Sequence, residues 1–134
     1  MAGDQRRLAV HVGLAEGRSK INLESTARNS VGDRPDEAGL VFDADELLAD
    51  AEPRRTTPLE VDALVERLSR EHADSDLPGA VASDDAGDYV CNALFFHALG
   101  CADALFVHVP PLTPGDARRV GRSLGAAVGE LVGR

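Results

Sequence analysis

Apolar and polar positions change period several times along this chain, and each change marks an element. Residues 8–12 (LAVHV) form a short apolar run that reads as a buried strand. Residues 13–20 (GLAEGRSK) read as a loop of small residues, without the Gly-Lys-Ser/Thr ending of a phosphate loop. Ile21, Leu23 and Ala27 make residues 21–29 (INLESTARN) a strand or an irregular extended segment. Residues 40–55 are acidic and uneven, with room for one helical turn.

Helical spacing then takes over. Thr57-Pro58-Leu59-Glu60 has the makings of a helix start, with Thr57 as cap, Pro58 at the first helical position and Glu60 completing a capping box. Val61, Leu64, Val65 and Leu68 form one apolar stripe, so this helix is expected to pack on a sheet. Leu77-Pro78-Gly79 leads into a short strand over residues 80–83, and Asp84-Asp85-Ala86-Gly87 is turn chemistry. Asp88 can cap a helix carrying Val90, Leu94, Phe95 and Leu99, which Gly100 would end. Residues 104–109 read as a further strand, stopped by Pro110-Pro111. Thr113-Pro114-Gly115-Asp116 opens a last helix with Val120, Leu124, Ala127, Val128 and Leu131 buried and Leu112 stapling its entry. The strand–helix alternation predicts one α/β layer structure.

The length of 134 residues suits one domain with one modest core. With 43% hydrophobic and 28% charged residues the chain reads as globular, and no apolar run is long enough to span a bilayer. The opening MAGDQRRLAVHVG is too short and too polar for a signal peptide, so two cysteines are expected as free thiols in a reducing cytoplasm. A net charge of −9 argues against nucleic acid and against an anionic membrane surface as partners. Of the 14 basic side chains only Lys20 is lysine, which suits a GC-rich genome and a salt-adapted organism as well as an ordinary solvated acidic surface.

The layout brings candidate chemistry into view. Cys91 falls in the first turn of its helix, where free N–H groups and the macrodipole favour a thiolate. His108 falls near the end of the next strand. If strands 80–83 and 104–109 are parallel neighbours, the two residues meet at one rim as nucleophile and general acid/base. Each also has a bland reading. A buried cysteine is ordinarily a small inert hydrophobe, and a histidine in an apolar strand is ordinarily a satisfied core residue. Cys101, after the helix stop, reads as core. Glu24 alone would be a surface carboxylate, and Arg34 a turn residue paired to Asp33, Asp36 or Glu37. His11, His72 and His97 are too dispersed for a metal site, and neither Cys-x-x-Cys nor His-Glu-x-x-His occurs.

Two motifs tip this balance. SDDAGDYVCNALFFHAL followed by ALFVHVP resembles the pyroglutamyl peptidase I (pyrrolidone-carboxylate peptidase) family, cysteine peptidases that remove an N-terminal pyroglutamate. The family carries AG-x-x-VCN-x-LFY with the nucleophile and F-x-H-x-P with the histidine, which fall here on Cys91 and His108. Upstream, VGLAEGRSKINLESTARN resembles the family's VG, Q-A-G-G-R and I-T-P-E-R-V-A-I-N run. It keeps Val12-Gly13, Ala15-x-Gly17-Arg18, Ile21, Glu24, Ala27 and Asn29 without a gap. The resemblance implies that Glu24 is the carboxylate orienting His108. It also implies that Arg34, in GDRPDEAG, is the arginine near the reacting carbonyl. Glu16 replaces a family glycine, and Ser25-Thr26 replaces the usual Arg-Val.

The implied fold is a three-layer α/β structure with a mixed, mostly parallel open sheet flanked by helices, forming a single domain over residues 1–134. The resemblance covers residues 8–132. The family's opening portion, a strand ending in T-G-F-x-P-F with further strand and helix, has no counterpart here, and its aromatic residues line the pyroglutamyl pocket. A late start, a shortened homologue and a missing half supplied by another chain are all open. The implied activity is a Cys-His-Glu exopeptidase acting through a thioester, with no metal or organic cofactor, in the cytoplasm and as a homo-oligomer. Its partners would be peptides with an N-terminal pyroglutamate. Two rivals stand beside it: a non-catalytic binding or assembly domain, which would expose apolar surface where the first strand should lie, and a cysteine amidase of different acyl specificity.

Overall fold

The structure is a computed structural model that describes residues 7–31, 46–87 and 90–132. Its elements run β1 (Leu8–Leu14), β2 (Ile21–Glu24), β3 (Thr26–Arg28), β4 (Arg54–Thr56), α1 (Val61–His72), β5 (Ala80–Ser83), α2 (Val90–Cys101), β6 (Asp103–Val109) and α3 (Pro114–Val132). Four strands form the main sheet in the order β1-β6-β2-β5. β1 pairs parallel with β6, and β2 pairs parallel with β5, while β2 and β6 are antiparallel. The sheet is therefore mixed and mostly parallel, as expected. β3 and β4 form a separate antiparallel pair.

Side chains alternate across a strand, so β6 divides its residues between two faces. Leu105 and Val107 meet Ile21, Leu23 and Ala80 on one face, under Val61, Leu64 and Leu68 of α1 and Val120, Leu124 and Ala127 of α3. Ala104 and Phe106 lie on the other face with Phe95 and Phe96 of α2 and Ala27 of β3. Helices cover both sides, which completes the three layers. His108 has the parity of Phe106 and so belongs to the α2 face.

Several local expectations are corrected. β5 and β6 are not neighbours, because β2 lies between them. Since β5 is parallel to β2 and β2 antiparallel to β6, β5 and β6 run in opposite directions. The helix after Thr57 starts only at Val61. Thr57 is used elsewhere: its hydroxyl donates to the Ala104 carbonyl and its N–H donates to Ser25 O at 2.9 Å, which pins the approach to the helix onto the sheet. By contrast, Thr113 caps α3, its hydroxyl accepting from the Asp116 N–H at 3.1 Å. β1 is not a buried strand; Val10, Val12 and Leu14 are 39%, 57% and 60% exposed. Gly100 does not end its helix, which continues to Cys101. A Cβ there would come within 2.4 Å of Arg55 Nη1, so the missing side chain makes room for an arginine. That guanidinium lies 4.1 Å from the Phe96 ring centroid and donates to Phe96 O at 2.9 Å. The helical turn allowed within residues 40–55 is replaced, over the described residues 46–53, by bends and turns leading into β4. Among the described residues no helix is long and apolar enough to cross a membrane.

Candidate functional site

Glu24 ends β2 with no exposure to solvent, so the surface reading of this carboxylate does not hold. Its Oε2 lies 2.8 Å from His108 Nδ1 and 3.1 Å from Arg18 Nη1. Oε1 is buried and has no hydrogen-bond partner among the described residues. A carboxylate oxygen facing Nδ1 requires the imidazole proton on that nitrogen, which leaves the Nε2 lone pair available to accept a proton. His108 is itself buried, at 5% exposure, with its ring 4.9 Å from the Phe106 ring centroid. His11 stacks on Phe106 at 6.1 Å.

Cys91 is the second residue of α2 and is half-buried. Gly13 shows where its sulfur lies. A Cβ built on Gly13 would sit 3.3 Å from Cys91 Sγ and 3.1 Å from Phe106 Cε1. Gly13 is the parallel-ladder partner of His108. The sulfur thus lies beside Gly13 on the α2 face, and Gly13 is one strand spacing from His108. Glu24, His108 and Cys91 converge there, though not by the shared rim of two parallel strands. The thiol is pushed above its ordinary range, first by burial, with the Glu24 carboxylate adding to the rise. The backbone N–H at Cys91 and the Arg18 guanidinium pull the other way and lose. Burial thus favours a resting thiol over the thiolate that the helix start alone would favour.

The helix carrying Cys91 is anchored by its next residue. Asn92 is fully buried. Its Nδ2 donates to Arg28 O and its Oδ1 accepts from Arg28 N–H, both at 2.8 Å, so one amide clamps α2 to β3. Asn29 plays a similar part nearby, donating to Leu48 O and accepting from Leu48 N–H, both at 2.9 Å. Sequence reasoning gave no role to Asn92, Arg18 or Gly13. The available signal was a polar amide inside the apolar run VCNALFF. Arg34 and Asp88 lie outside the described residues. Cys101, expected in the core, is exposed, with its sulfur 3.9 Å from His97 Nε2. Among the described residues no group of three or more His, Cys, Asp or Glu side chains is placed to hold a metal ion.

Comparison with known proteins bears on the chain as a whole. The family model for pyroglutamyl peptidase matches residues 1–114. A pyrrolidone-carboxylate peptidase of Lactobacillus helveticus is 35% identical over 119 residues, covering 83% of this chain and 56% of the relative. One from Pyrococcus furiosus is 28% identical over 123 residues, covering 86% of this chain and 57% of the relative. The chain thus spans little more than half the length of these curated relatives. Among solved structures, the pyrrolidone carboxyl peptidase of Fervidobacterium islandicum superposes with a TM-score of 0.80 at 23% identity, over 96% of this chain and 72% of that one. The pyrrolidone carboxyl peptidase of Thermus thermophilus gives 0.73 at 26% identity, over 86% and 66%. With a family model matched over most of its length, the chain belongs to the pyroglutamyl peptidase family.

Proposed function

We propose that this chain is a cysteine exopeptidase that removes N-terminal pyroglutamate from peptides through Cys91, His108 and Glu24. The observation that carries the reading is the buried 2.8 Å contact between Glu24 Oε2 and His108 Nδ1, set beside the ladder position over which Cys91 Sγ lies. The relatives' names, pyrrolidone-carboxylate peptidase, supply the acyl group.

His108 Nε2 takes the proton of the Cys91 thiol as sulfur attacks the carbonyl carbon after the pyroglutamyl ring. Because burial favours the thiol at rest, this transfer is assigned to the attack. Glu24 holds the ring in the productive tautomer and stabilises the imidazolium that forms. N–H groups at the start of α2, together with Arg34, stabilise the oxyanion. The C–N bond then breaks, His108 returns its proton to the leaving amine, and a thioester remains on Cys91. Water adds with His108 again as base, the C–S bond breaks, and pyroglutamate and the free thiol are released. Every proton and electron pair is carried by the chain's own residues, the substrate and water.

The test is hydrolysis of a pyroglutamyl-aminocoumarin by wild type, Cys91→Ala and His108→Ala, at low and high salt. Turnover lost in both variants while the fold is kept is the expected result. Turnover retained in Cys91→Ala would remove the cysteine from the mechanism, and hydrolysis of other acyl-aminocoumarins in preference would redirect the acyl specificity.

A second reading, an assembly domain, is favoured by the open apolar face of β1. α2 is also apolar on every side, leaving Val90 and Leu94 exposed beyond its buried phenylalanines. Sedimentation velocity separates the cases: self-association that Val12→Glu disperses supports assembly through this edge, and a monomer at high concentration opposes it.

A further inference from the structure

Glu24 carries an arrangement that the steps above do not use. Two donors share its Oε2: the imidazole Nδ1 and the Arg18 guanidinium. A carboxylate with no solvent exposure is stable as an anion only beside a compensating charge. A neutral imidazole supplies a hydrogen bond but no charge. Arg18 supplies a permanent one.

Arg18 also reaches further. Its Nη2 donates to Asp85 O at 2.9 Å. Asp85 lies in the turn that leads to α2, and that turn is internally braced. The Asp85 N–H donates to Ser83 Oγ at 3.2 Å, and the Gly87 N–H donates to Asp85 Oδ1 at 2.9 Å. Gly87 has φ +85°, a conformation that favours glycine. One guanidinium thus joins the end of β2 to the approach of the helix that carries Cys91.

We propose that Arg18 is a positioning residue for Cys91 chemistry: it holds and charge-compensates the Glu24 carboxylate that faces His108 and ties that carboxylate to the turn before the cysteine helix. This inference rests on the triad reading above. Among the described residues, the groups that face Glu24 and the imidazole are Arg18 from the β1–β2 loop, Cys91 from α2, and His11 from β1 across the Phe106 ring. Of these only Arg18 is a fixed cation. Its removal leaves the buried carboxylate without its compensating charge and without its tie to the turn before α2. Loss of the guanidinium also withdraws a side-chain charge that favours the Cys91 thiolate.

The test uses the full chain with Cys101→Ser, so that alkylation reports only Cys91. Iodoacetamide rates are measured against pH for this protein and for added Arg18→Ala and Arg18→Lys. The rising limb should move up by about half a pH unit in Arg18→Ala, a roughly threefold slower reaction at one pH. Arg18→Lys, which keeps the charge but not the fork, should fall between. In pyroglutamyl-aminocoumarin turnover, Arg18→Ala should lower kcat about tenfold with little change in KM, a share of the ~10²–10⁴-fold that a general base supplies. Limbs that superimpose in all three folded proteins would overturn the proposal, as would Arg18→Lys falling as far as Arg18→Ala. If Arg18→Ala does not fold, Arg18→Lys against the parent decides alone. Alkylation needs no substrate. A wild type that fails to turn over therefore counts against the proposed peptidase, while the limbs still decide the role of Arg18.

Discussion

Asn92 offers the sharpest test of how the cysteine helix is held. Replacing it with alanine removes two 2.8 Å hydrogen bonds and leaves the Arg28 N–H and C=O without their partner. Each buried polar group left unpaired costs about 1–3 kcal/mol. Arg28 itself is exposed, so water reaches part of its backbone and the lower half of that range applies. Two such groups give a loss of about 2–4 kcal/mol in Asn92→Ala, read from urea unfolding followed by circular dichroism. A companion variant, Asn92→Asp, keeps the acceptor for Arg28 N–H but turns a carboxylate toward Arg28 O. Burial beside a carbonyl raises the folded-state pKa of that new carboxyl above its unfolded value. Asn92→Asp should therefore recover stability as the pH falls through the folded-state value, by regaining an O–H donor. A loss below about 0.5 kcal/mol in Asn92→Ala, within the scatter of ordinary surface substitutions, would refute the clamp.

Two more outcomes follow from the same site. Gly13→Ala places a methyl 3.1–3.3 Å from Phe106 and Cys91 Sγ, tight enough to displace the sulfur; kcat/KM should drop about tenfold or more, in line with small misplacements of reacting groups, and unchanged kinetics would mean that the sulfur does not work from over Gly13. Burial pushes the Cys91 thiol up, so in a Cys101→Ser background its alkylation should be slow at neutral pH and climb through the alkaline range, whereas a fast plateau below pH 7 would contradict the resting thiol. The sign for stability agrees: a thiol that binds its proton more tightly in the fold stabilises it fully below the unfolded value and loses that contribution as pH rises.

Much of this arrangement could be read from residues alone, for reasons that differ by element. α1 and α3 are amphipathic, so Val61, Leu64 and Leu68 and then Val120, Leu124 and Ala127 announce both the helix and its buried face. α2 is apolar all round, and its spacing cannot say that Phe95 and Phe96 are buried while Val90 and Leu94 are not. β1 looks like a core strand because Val10 and Val12 are apolar, yet burial depends on what lies alongside, which its own residues do not specify. Thr57 has the signature of a helix cap, but tertiary partners on Ser25 and Ala104 claim it first. Strand order is a long-range property, and β2 entering between β5 and β6 left no local trace. The family resemblance singles out Glu24, Cys91, His108 and Arg34, though Arg34 lies outside the described residues. What spacing could not supply was the burial that raises the thiol and the Arg18 guanidinium on Glu24, since both arise from segments folded across the site.

The most direct measurement is to trap the acyl-enzyme. Wild type and Glu24→Gln would be mixed with a pyroglutamyl-aminocoumarin, quenched in acid within the first turnover, digested and analysed by mass spectrometry. The proposed chemistry predicts a pyroglutamyl thioester on the peptide containing Cys91, formed more slowly in Glu24→Gln, where the imidazole loses its anionic partner. Release of aminocoumarin with no acyl group on Cys91, or with the acyl group on Cys101, would contradict it.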